Sequence, residues 1–200
     1  MGENPVFSIW YRTGEVIEEK LENTSGKEMF WLITVFGIIS MMDIASSINM
    51  GDKFSLAEIL ILSVIIGPLV GALNWGIYSL IVHGTSRLLG GAGTWRETRT
   101  TVAWATVIYS AKFLLWIPLL FLFGHELFLE ETMALTNNLF LTVLFYLFSL
   151  FEFILQIVFI IVLSKGLAVA HRFSAWRGFG AQAILFAVNV FVILLRLFAG

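Results

Sequence analysis

Lys112 stands inside Tyr109–Phe123, YSAKFLLWIPLLFLF, a run otherwise suited to hydrocarbon. Glu152 stands the same way inside SLFEFILQIVF. At 1.5 Å per helical residue, Lys112 is about 20 Å from Arg99 and about 18 Å from Gly124. Glu152 is about 21 Å from Asn138 and about 20 Å from Lys165. If the two segments are consecutive spans, they run in opposite directions and the two charges fall at nearly one depth. Each charge alone costs roughly 3 kcal/mol at the centre of a bilayer. A mutual ion pair, or Lys112 beside a neutralised Glu152, is the least costly arrangement, so Glu152 is the expected partner of Lys112. Asp43 competes for the lysine. Gln156 lies one turn from Glu152 on the same face, and Asn189 falls near the middle of the last apolar run. Three kinds of chemistry suit such a cluster: helix-to-helix adhesion, a site for a helix of another protein, or a conduit for ions, protons or lipid headgroups.

Other chemistry lacks its residues. The chain has no cysteine, which excludes disulfides, thiolate metal sites and cysteine nucleophiles. The histidines His83, His125 and His171 form no HExxH pattern and no pair one turn apart. His83 and His171 fall on the same side of the membrane, which leaves a bridged metal site open beside the plainer reading of interfacial histidines. There is no GxSxG and no phosphate-binding loop, and GGAGTW reads as a flexible connection. Glu130-Glu131 lacks the companions an intramembrane protease needs. No catalytic residue, cofactor or metal site is expected. A formal charge of −2 gives no reason to expect nucleic acid.

The elements that must position the cluster are membrane helices. The chain is 58% hydrophobic and 13% charged, with mean hydropathy +0.90. Soluble domains carry about 25% charge. Five runs reach the ~20 apolar residues needed to span a bilayer: 28–50, 54–82, 100–123, 139–164 and 179–198. No period-two alternation supports a barrel. The expected fold is therefore all-α: a polytopic bundle of five transmembrane helices over 28–200, preceded by a short amphipathic segment at 1–27. In that segment Val16, Ile17 and Leu21 form a narrow apolar stripe. It is expected to lie along the membrane surface, with Thr13 as helix cap.

Basic residues orient the bundle. Arg12, Lys20, Lys27, Arg87, Arg96, Arg99, Lys165, Arg172 and Arg177 fall on one side, against Lys53 and Arg196 on the other. The positive-inside rule puts the amino end in the cytoplasm and the carboxyl end outside. Trp10 with Arg12, Trp95 with Arg96 and Trp176 with Arg177 repeat one device on the cytoplasmic side. Indole favours the headgroup layer and guanidinium finds phosphate there. The same residues form a candidate docking face for a partner. Gly67, Pro68, Gly71 and Pro118 mark expected kinks and close helix packing, within the monomer rather than between copies.

Several stretches together resemble the Ypt-interacting-protein (Yip) domain family in its bacterial form. They are NPVFSIWYRTGEVIEEKLEN, the Gly67-Pro68 step, RLLGGAGTWRETRTTVAWATV and HRFSAWRGFGA. The chain departs at Thr13-Gly14, where bacterial relatives often carry Pro-Arg, and near Tyr109, where proline is common. The resemblance implies a non-enzymatic, five-span protein of the bacterial cytoplasmic (inner) membrane. It implies membrane lipids as surroundings, and as partner another membrane protein such as an export transporter, or a second copy of the chain. Adaptor or assembly factor is the first expectation. A conduit or lipid-handling protein built on Lys112, Glu152 and Asp43 is the alternative.

Overall fold

The computed structural model describes residues 4–132 and 138–183. These residues are almost wholly helical: α1 Pro5–Ser8, α2 Thr13–Asn23, α3 Gly26–Ser47, α4 Leu56–Leu88, α5 Trp95–Ser110, α6 Phe113–Phe123 and α7 Leu139–His171. Short 3₁₀ turns follow α3 and α6, and residues 175–183 are again helical. Among the described residues, four stretches are long and apolar enough to cross a membrane: Gly26–Ser47, Leu56–Leu88, Trp95–Phe128 and Leu139–His171. The expected fifth span begins in the helix at 175–183, and its remainder, with Asn189 and Arg196, lies outside the described residues.

Local sequence starts these helices. Ser25 and Glu28, Ser55 and Glu58, and Thr94 and Glu97 each form a reciprocal capping box. The backbone N–H of Ser25 donates to Glu28 at 2.8 Å, that of Ser55 to Glu58 at 2.8 Å, and that of Thr94 to Glu97 at 2.6 Å. The three hydroxyls accept from the glutamate N–H groups in return. Asn138 caps α7 through the N–H groups of Phe140 and Leu141. α4 and α7 have 33 residues each, about 50 Å at helical rise. That exceeds the ~30 Å hydrocarbon core, so each outruns the membrane interior.

The chain divides into two compact units, and α3, α4, α5 and α7 contribute to both. One unit comprises 30–74 and 106–158. Here α3 and α4 approach until their backbones touch: a methyl on Gly37 would lie 2.0 Å from the Gly67 carbonyl oxygen and 2.7 Å from the Gly71 Cα. The expected close packing within the monomer is present, and Gly37 is the partner that the sequence reading left out. Gly76, the next small residue in that register, faces open space. Ile39, Met42, Ala45, Ile59, Trp116 and Phe128 form the core of this unit. The third span is interrupted, though not at Pro118. Lys112 N–H bonds to the Tyr109 carbonyl at 3.0 Å and Leu114 N–H to that of Ala111 at 3.0 Å. These tighter i→i−3 bonds separate α5 from α6 at residues 111–112. Pro68 sits inside α4, which continues through it.

The other unit comprises 1–29, 75–105 and 159–200, as far as it is described. Its helix ends are polar, and α2 is part of its core. Val16 and Ile17 are buried. Ile17 packs at Gly166 of α7, where an added methyl would meet it at 3.4 Å and Thr101 at 2.7 Å. Val16 and Ile17 of the apolar stripe therefore face protein, with Gly166 leaving room for Ile17 on α7. Arg12 occupies the N-cap position with no side-chain cap, while the Thr13 hydroxyl donates to the Ile9 carbonyl at 2.8 Å. Lys20 ties the segment down: its ammonium lies 2.9 Å from Glu28 and 4.7 Å from the Trp104 ring centroid.

Candidate functional site

The unit containing Lys112 brings the expected charges together with a different leading pair. Lys112 Nζ lies 2.7 Å from Asp43 Oδ2 and 3.8 Å from Glu152 Oε2. Asp43, expected as a competitor, is the principal partner, and Glu152 stands beyond hydrogen-bond distance. The cause is donor geometry. Tyr109, Lys112 and Trp116 follow i, i+3, i+7 spacing on one helical face. All three donate to Asp43: the Tyr109 hydroxyl in a short bond, Lys112 at 2.7 Å and Trp116 Nε1 at 3.2 Å. Three donors compensate the burial of one carboxylate. Lys112 also follows the carboxyl end of α5, where a cation is favoured.

A cavity of about 310 Å³ opens on this cluster. Three of the spans each give it one face: Asp43, Ser46 and Ser47 from α3; Lys112, Trp116 and Leu119 at α6; Phe145, Phe148, Ser149 and Glu152 from α7. Leu127 completes the wall, and the Ser46 hydroxyl donates to its carbonyl at 2.7 Å. Gln156 is exposed and outside the cavity. It does not join Glu152 as expected, because four residues carry it beyond the helical stretch that lines the space. Glu152 is a third exposed, Asp43 and Lys112 less so. The signal for Tyr109 and Trp116 was in the sequence as Y-x-x-K-x-x-x-W, legible once a carboxylate is placed opposite.

In the other unit, Trp10, Trp95 and Trp176 are all exposed, Trp176 at 82%. Arg12, Arg96 and Arg177 are exposed beside them. Arg12 pairs with Glu15. His83 and His171 do meet, through a hydroxyl: Thr98 Oγ1 lies 2.8 Å from His83 Nδ1 and 2.9 Å from His171 Nε2. His171 is fully buried, and Gly91 and Gly93 lie against its ring. Among the described residues no group of three or more His, Cys, Asp or Glu side chains is arranged to hold a metal. The GGAG stretch, expected as a flexible connection, is a fitted lid on an imidazole: methyls there would come within 2.5 Å and 2.9 Å of the ring.

A family model described as the Yip1 domain matches residues 7–197. The chain belongs to the Yip1 domain family. Four apolar helices and this match make it a multi-pass membrane protein of the Yip type. No curated protein and no solved structure matches the chain. The Yip1 family is not an enzyme family. Within this Yip1-domain chain, Lys112 with Asp43 and Glu152 is the charged cluster that borders the described cavity.

Proposed function

We propose that this Yip1-domain protein is a non-enzymatic adaptor or assembly factor for another membrane protein, such as an export transporter. In this reading it crosses a bacterial cytoplasmic membrane five times, amino end inside. The supporting observation is the exposure of Trp10, Trp95 and Trp176 with Arg12, Arg96 and Arg177, all in one compact unit. Aromatic and arginine side chains are those enriched at binding hot spots. A photo-crosslinking residue placed at Trp95 or Trp176 in living cells tests it. Discrete adducts with one membrane protein are expected there and not at exposed Leu114 or Phe121 on α6. A smear of lipid adducts alone at all four positions would end the adaptor reading.

The cavity favours a second reading, a conduit or lipid-handling protein. A charged, partly accessible space among three spans is the kind of place where transported groups are held in membrane proteins. Reconstituted liposomes test it. Ion or lipid flux above the protein-free level in the parent, and lost in Lys112→Leu, is the expected result. Equal flux in both proteins would remove this reading.

A further inference from the structure

The charges around the cavity do not cancel. Lys112 supplies one positive charge, while Asp43 and Glu152 supply two negative ones. Asp43 is fully engaged by Tyr109, Lys112 and Trp116. Glu152 has Lys112 at 3.8 Å, the longer of the lysine's two carboxylate contacts. The surplus negative charge is therefore localised on Glu152, which faces the open space. An anion entering would meet an unbalanced carboxylate, and Lys112, the one cation among the described lining residues, is already turned to Asp43. Three aromatic residues, Trp116, Phe145 and Phe148, share the rest of the wall with serines and leucines. Ring faces attract cations by their quadrupole, and such walls suit alkylated ammonium groups.

We infer that this cavity is a binding site for one monovalent ammonium group, with Glu152 as its counter-ion and the aromatic walls as its sheath. The volume of about 310 Å³ admits a headgroup-sized ammonium ion. Lys112 fixes the selectivity: held by Asp43, it leaves room for a single charge at Glu152 and repels a divalent ion. The assignment rests on the cavity used in the second reading, and it names what that cavity takes. The ammonium group can come from an amine-bearing lipid or from a free amine in solution.

Ligand-observed NMR on the full chain in nanodiscs of phosphatidylglycerol tests the site, with tetramethylammonium as probe. Tert-butanol and pivalate serve as neutral and anionic shape matches. Tetramethylammonium is expected to bind at least tenfold more tightly than either. Glu152→Gln, which keeps the Lys112–Asp43 contact, is expected to weaken binding at least tenfold, and Glu152→Asp by less. Should neither variant fold, the charge preference of the parent protein decides alone. Equal binding of the three shapes, or a folded Glu152→Gln protein with unchanged affinity, would overturn the assignment. Nanodiscs containing phosphatidylethanolamine separate the two sources: suppression of probe binding identifies the lipid headgroup, and undiminished binding with displacement by free ethanolamine identifies a soluble amine. Binding without flux would sink only the conduit reading. Flux that depends on Lys112, without ammonium binding, would sink only this assignment.

Discussion

Asp43 is the residue on which the cluster turns. It accepts from three side chains of one helical face, whereas Glu152 stands 3.8 Å from the shared lysine. Removing the two carboxylates should therefore have unequal effects. Asp43→Ala strands three donors in a poorly solvated place and is expected to destabilise by about 2–4 kcal/mol. Glu152→Ala removes one long, partly exposed pair and should cost under about 1 kcal/mol. Denaturant titration in bicelles measures both. The reverse order would mean that Glu152 is the true partner of Lys112. Pairing Asp43→Ala with Lys112→Ala should recover part of the loss, since the lysine's charge is then removed together with that of its principal partner.

At the scale of the element, the contact between α3 and α4 depends on having no side chain. A Gly37→Ala methyl would press on the Gly67 carbonyl oxygen at 2.0 Å, and backbone cannot rotate away. Gly37→Ala should cost about 1–3 kcal/mol or drive the two helices apart. Gly76→Ala and Gly84→Ala meet nothing within 4 Å and should be neutral or gain up to about 1 kcal/mol from lower backbone entropy. Thermal denaturation of the three variants checks the contrast. The amino-terminal segment offers a second test. Because Ile17 is buried against α7, Ile17→Ala should cost about 2–5 kcal/mol. It should also expose the connection around Thr24 to protease. A surface-lying α2 would show no such change.

For the whole molecule, the question is which ends face which compartment. The natural chain has no cysteine, so single cysteines report accessibility without background. With the amino end inside, cysteines at the exposed Glu19 and Ala92 should resist a membrane-impermeant maleimide in intact cells. A cysteine at the exposed Lys53 should react with it. Labelling at Glu19 with protection at Lys53 would invert the topology. The same experiment at the carboxyl terminus decides between four and five crossings.

Much of the protein was legible in one dimension because the bilayer imposes a one-dimensional rule. Backbone groups in hydrocarbon must be satisfied within their own segment, so apolar runs become helices and their length gives their role. The capping pairs at Ser25, Ser55 and Thr94 are likewise local, three residues from donor to acceptor. Sequence also gave the inventory of charges inside the spans. What it left open was pairing across helices. Periodicity gives each helix a face but not the rotation that selects its neighbour. Hence Asp43 rather than Glu152 lies closest to Lys112, Gly37 receives Gly67 and Gly71, and Ile17 of α2 packs at Gly166 of α7. The break at Lys112 and the cavity beside it belong to that same level. They arise where three helices meet, and no single stretch of chain contains the contacts that produce them.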